Sequence, residues 1–192
     1  MGPELHDITN LLQEVVHGNR QAEESFFRLV ERQLREIAEN QLRRFGPDSL
    51  LQPTALVNEA YLKIFRQNLE PGAFEGRNHF FALVARAMRQ ILVDYARKRL
   101  AEKRRTPSEP FPGSTGHWKR WQEIVAVNDL LDRLAREDPK VAELVSLRFY
   151  GGFSMKEAAE ILGVSLRTAQ RYWAYGRAQL KSWLSGQESG QG

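Results

Sequence analysis

Cysteine is absent from the 192-residue chain, which excludes disulfide bonds, thiol catalysis and cysteine-ligated zinc or iron–sulfur centres. Histidine is scarce as well. His6, His17, His79 and His117 stand too far apart in sequence for a local metal site, so neither a metal nor a cofactor is expected. No apolar run approaches the about 18 residues of a membrane-spanning helix, and the first residues lack the basic-then-apolar order of a secretory signal. His6 also stands where a myristoylation signal requires Ser or Thr, so the expected location is the cytoplasm. Segments of strand period are missing, as are a glycine-rich phosphate loop and a clustered acidic metal site. An all-α protein without catalysis of its own is therefore expected.

What is present is ordinary for a chain that buries a core, with 42% hydrophobic and 27% charged residues. The formal charge of +4 says little until its distribution is considered. From Ser165 to Leu184 the basic residues are Arg167, Arg171, Arg177 and Lys181, and no Asp or Glu opposes them. Just upstream, Ser154 and Glu157 have the spacing of a capping box, which starts a helix near Met155. Gly163 ends that helix, Val164 plugs the corner, and Ser165 caps a second helix whose apolar side carries Ala169, Trp173, Leu180 and Leu184. Two capped helices about one tight corner form a helix-turn-helix, and a one-sided cationic second helix suits the polyanionic edges of a major groove.

Before this unit, helical spacing predicts helices over about Asp7 to Val16, Gln21 to Phe45, and from beyond Pro53 to Gln67 with Thr54 as the cap. Leu62 lies off the apolar stripe of the third, beside Asn58, Glu59 and Arg66. Residues from Asn68 to Asn78 read as a loop. The stretch from His79 to Arg105 begins as a buried helix and ends in Arg97, Lys98, Arg99, Lys103, Arg104 and Arg105. Arg86, Arg89 and Gln90 carry its polar side back toward the start. From Thr106 to about Trp121, prolines and glycines interrupt any helical period, which predicts a linker, one whose Phe111, Trp118 and Trp121 are unusual for a passive spacer. Helices follow over about Gln122 to Arg136 and after Asp138-Pro139. Two small helical domains, residues 1–105 and 122–192, joined by the linker 106–121 are the expected organisation.

In this order the parts resemble a bacterial RNA polymerase sigma factor of the extracytoplasmic function (ECF) group in the sigma-70 class. LLQEVVHGNRQAEESFFRLV looks like the opening of that family's promoter-melting domain, and TALVNEAYLKIFR looks like its region 2.2. FFALVARAMRQILVDYARKR resembles regions 2.3 and 2.4, and the last four helices resemble region 4. The resemblance implies a factor that binds core RNA polymerase and directs promoter-specific initiation. Its polymerase contacts, on the β′ clamp helices, would be Asn58, Glu59, Tyr61, Leu62 and Arg66, with the β flap a further contact. Arg86, Arg89, Gln90, Arg97 and Lys98 would serve the opened minus-10 strand, Gln90 at the place of a flipped-base pocket. Arg167, Thr168, Gln170, Arg171, Tyr175, Arg177 and Lys181 would serve the minus-35 duplex. An anti-sigma factor is a further partner that the resemblance allows. Two other readings compete: a two-domain helix-turn-helix repressor or activator on duplex operator DNA, and a recombinase-like enzyme, for which no catalytic cluster is found.

Overall fold

The computed structural model describes residues 5–45, 51–67, 76–105 and 114–188. Among the described residues there are eight helices and no strand: α1 (Leu5–Val16), α2 (Arg20–Phe45), α3 (Pro53–Gln67), α4 (Arg77–Arg105), α5 (Ser114–Glu137), α6 (Pro139–Phe149), α7 (Met155–Ile161) and α8 (Leu166–Glu188). The all-α expectation holds.

Local chemistry explains most helix starts. Asn19 caps α2, its Oδ1 accepting from the backbone N–H groups of Gln21 at 3.0 Å and Ala22 at 3.2 Å. Asp138 does the same for α6, accepting from Val141 N–H at 3.2 Å with Pro139 in the first turn. At α3 the expectation needs correcting. The helix begins at Pro53 itself, whose fixed φ is already helical, and Thr54 sits exposed inside the first turn instead of capping it.

The N-terminal core is aromatic. Phe26 of α2, Phe65 of α3 and Phe80 of α4 meet with centroid separations of 4.9 to 6.4 Å. Val30, Leu34, Ile37, Leu56, Ile64, Val84, Met88 and Leu92 fill the space around them. Helix α4 is the central rod: it packs against α1, α2 and α3 and also against α5, α6 and α7. That is why its first half is buried almost all round, an arrangement that a one-sided amphipathic helix does not show.

The same core continues into the C-terminal helices, through Trp121, Leu144, Leu147, Phe153, Ala158, Ala159 and Ala169. A second cluster, built on Leu131, Leu134, Val141, Ala142, Val145 and Tyr150, ties α5 to α6 and receives Trp183 and Leu180 of α8. Leu184 was expected on this apolar side but is 39% exposed. One close approach had no sequence signal. A Cβ at Gly176 of α8 would come within 2.6 Å of Val145 and 2.9 Å of Val141, so α8 can lie against α6 only with glycine there.

Helix α5 starts eight residues earlier than the spacing predicts, at Ser114 and not near Gln122. Trp121, expected in the linker, is instead 6% exposed, edge-on to Tyr95 of α4 at 6.0 Å, with the Arg99 guanidinium 5.6 Å from its ring. Burying that indole outweighs the weak helix propensity of the Ser-Thr-Gly start. The other two linker aromatics, Phe111 and Trp118, have side chains outside the described residues.

Candidate nucleic-acid interface

The corner between α7 and α8 is built as its residues require. Ser154 Oγ accepts from Glu157 N–H at 3.2 Å and Glu157 Oε2 accepts from Ser154 N–H at 2.7 Å, the reciprocal pair that defines a capping box. Gly163 takes φ +61° just beyond α7, and Val164 N–H donates back to Ala159 C=O at 3.0 Å, with Val164 packed against the core. Ser165 Oγ then accepts from Thr168 N–H at 3.1 Å to start α8. Ala159, 4% exposed, and Ala169, fully buried, are small enough to let the two helices approach.

Glu157 makes this corner pH-sensitive. The Ser154 hydrogen bonds hold its carboxyl below the usual carboxylate range, with Arg77 and Arg148 nearby adding to the effect. A depressed folded-state value means that this contribution is present above the ordinary carboxylate range and is lost as pH falls through the lowered value. Glu157→Gln should therefore be less stable than the parent near neutral pH and match it in acid, as urea unfolding across pH would measure. Ser154→Ala should cost about 1 kcal/mol in the same assay at neutral pH.

With one face of α8 committed to the core, the opposite face is determined. Ala169, Gly176 and the half-buried Tyr172, Trp173, Leu180 and Trp183 point inward. At 3.6 residues per turn, Arg167, Thr168, Gln170, Arg171, Tyr175, Arg177 and Lys181 all fall within the opposite half of the circumference. All but Thr168 are exposed, and Thr168 is engaged with the Ser165 hydroxyl at 2.9 Å. Tyr175 is 46% exposed and its hydroxyl accepts from Gln179 at 3.2 Å. Arg177 lies over the Trp173 ring at 5.7 Å, on the flank of this surface. Leu166, which the spacing did not single out, is 48% exposed at the start of the same helix.

The residues expected to contact polymerase separate into two groups. Asn58 and Glu59 are exposed and Leu62 is 51% exposed; of these, Glu59 and Leu62 line a groove between α3 and α4 together with Leu51, Ile91, Tyr95 and Lys98. Tyr61 is a correction. It is 8% exposed and packs its ring against Phe27 and Phe65 at 5.2 and 4.3 Å, so it supports the α3 surface from beneath. Burial, with Glu23 beside it, raises its phenol well above the ordinary value. The Arg66 side chain lies outside the described residues.

The residues expected to hold the minus-10 strand share one helix but not one environment. Arg86 and Lys98 are exposed. Gln90 is half-buried and donates to Asp94 at 2.9 Å. Arg97 donates to Asp129 of α5 at 2.7 Å. Arg89, expected to be accessible, is only 8% exposed, beneath Tyr150 and facing Asp132. Burial lowers its guanidinium from the usual value, and Tyr150 and Asp132 oppose that.

A bundle of helices ending in a capped helix-turn-helix, whose second helix turns Arg167, Arg171, Arg177 and Lys181 outward with no acid among residues 165–184, defines a DNA-binding protein. The family description "ECF sigma factor" matches residues 5–186, and the chain belongs to that family. No curated protein matches the chain. Membership makes it a sigma factor acting in transcription initiation, within a non-catalytic family whose partners are core RNA polymerase and promoter DNA. No described helix is long and apolar enough to cross a membrane.

Proposed function

We propose that the chain gives core RNA polymerase its promoter choice by dividing the work between its two halves. Helix α8 reads the minus-35 duplex, α4 holds the opened minus-10 strand, and the α3 surface docks on the β′ clamp helices. The observation that carries this reading is the outward face of α8, where Arg167, Gln170, Arg171, Tyr175, Arg177 and Lys181 are exposed opposite an inward face that rests on the core.

In the duplex, Arg167, Gln170 and Arg171 stand near the start of α8, where a recognition helix meets base edges. Arginine can span guanine O6 and N7, and glutamine can span adenine N6 and N7. Leu166 suits an apolar contact with a thymine methyl. Thr168 and Tyr175 offer hydroxyls, while Arg177 and Lys181, farther along, suit phosphates. On the opened strand, extruding a base costs a few kcal/mol of lost stacking, which cations on the backbone must offset. Arg86, Arg89, Arg97 and Lys98 of α4 are that supply, with Gln90 available to a base edge. Asn58, Glu59 and Leu62 form the docking patch, an exposed apolar residue within a polar rim, and Arg66 belongs with them. The β flap and an anti-sigma factor are further partners consistent with the family.

Promoter-dependent run-off transcription with purified core polymerase tests the whole reading; active core that gains no promoter selectivity from the chain would overturn it. Leu62→Asp tests the docking patch. It should weaken core binding by about tenfold or more, as fluorescence anisotropy would measure, while leaving duplex binding by the full chain unchanged. A repressor acting alone on an operator would show no such dependence on Leu62.

A further inference from the structure

Cations that α4 would offer to a DNA strand face acids of α5 in this structure. Arg97 Nη2 lies 2.7 Å from Asp129 Oδ1, and Arg89 Nη2 lies 3.9 Å from Asp132 Oδ1. The two acids are one helical turn apart, so both face α4 together. Asp132 is itself held: Asn128, 1% exposed, donates to its other carboxylate oxygen at 3.0 Å. The Tyr150 ring also packs against Arg89, its centroid 5.5 Å from the guanidinium carbon. Arg97 is also 4.0 Å from Asp94 of its own helix, so both guanidiniums are engaged within the protein.

We propose that Asp129 and Asp132 are an intramolecular latch: they occupy the guanidiniums of Arg97 and Arg89 in place of strand phosphates. The chain alone then binds single-stranded DNA weakly, and α4 is released only when α5 and the helices after it are drawn away. This rests on the reading of α4 as the strand-holding element. Two features make the latch separable. The Arg97 and Asp129 side chains are 44% and 57% exposed, a setting in which an ion pair is weak and a competing polyanion can replace it. Beside Arg89 the seam is also incompletely packed. A cleft of about 350 Å³ lies between α4, α5 and α6, with Arg86, Arg89, Asp132 and Glu143 on its walls.

The absence of native cysteine makes the test direct. Glu39→Cys on α2 and Arg136→Cys on α5 carry a dye pair in the full chain, and Asp129→Asn with Asp132→Asn removes the latch charges. The latch-free chain should show lower energy transfer and about three- to tenfold tighter binding of a fluorescent single-stranded oligonucleotide at low salt. A matched charge change on α2, Glu31→Gln with Glu36→Gln, should alter neither. Unchanged transfer and unchanged strand affinity would overturn the latch, as would an equal gain from the α2 control or a looser chain with no gain in affinity. Arg89→Gln with Arg97→Gln, assembled with core polymerase and tested on a fork-junction promoter, separates the two ideas. If that variant loses fork binding while the latch-free chain gains nothing, the latch fails and strand capture stands. If it keeps fork binding, strand capture itself has failed.

Discussion

Trp121→Ala is expected to lower the unfolding stability of the full chain by about 3–5 kcal/mol, the range for removing a buried large aromatic side chain. The indole is 6% exposed and belongs to the same core as Phe80 and Leu144, so its truncation leaves a cavity at the junction of α4 and α5. It also removes the ring that Tyr95 meets edge-on at 6.0 Å and that Arg99 covers at 5.6 Å. Trp121→Phe keeps most of the apolar volume and should recover more than half of the loss. Urea unfolding followed by circular dichroism measures both. A loss under about 1 kcal/mol for the alanine variant would mean that α5 does not rest on α4 in solution, and the latch would lose its structural basis with it.

Trp121 also marks where the sequence stops being legible. The capping box at Ser154 and Glu157, the stop at Gly163 and the cap at Ser165 are contacts among residues a few positions apart, and each is visible in the order of the letters. So is the cationic side of α8, because a helix has only one way to turn a fixed spacing into a face. The early start of α5 is different. Ser114, Thr115 and Gly116 favour no helix, and what orders them is an indole finding a place on a helix distant in sequence. The burial of Arg89 is hidden for the same reason. Its charge suggested an exposed position, while its actual environment comes from Tyr150 and Asp132, contributed by other helices. Gly176 gave no warning at all, since a glycine inside a helix does not say which neighbour requires it.

The early start of α5 and the burial of Arg89 both fall at the seam between α4 and the C-terminal helices, whereas Gly176 lies between α6 and α8. Apolar residues of the seam favour the closed arrangement, whereas Arg89, Arg97, Asp129, Asp132 and Asn128 give it a polar stretch that no simple core would need. Buried and half-buried polar groups cost free energy unless they are paired, so the price of placing Arg89 there is met only while Asp132 and Tyr150 stay in place. On the proposed division of work between the two halves, a seam of this kind would let water or DNA compete for its polar contacts while its apolar part holds the free chain together.

Arg171→Ala should lower affinity for a promoter duplex by about 1–3 kcal/mol, or roughly 5- to 150-fold, if the guanidinium reads a base edge. The side chain is exposed and makes no ion pair among the described residues, so stability should shift by no more than about 0.5 kcal/mol. Loss of affinity therefore cannot be attributed to loss of fold. Lys181, two to three turns farther along the same face, supplies the contrast. As a phosphate contact, Lys181→Ala should weaken every duplex about equally and reduce the salt slope of binding by about one. The arginine variant should instead erase the preference for the promoter sequence over a scrambled one. Binding of both variants to cognate and scrambled duplexes, titrated with salt, decides the matter. If Arg171→Ala weakens both duplexes equally, the base-reading role moves to its neighbours Arg167 and Gln170, and α8 keeps its place in the groove on charge alone.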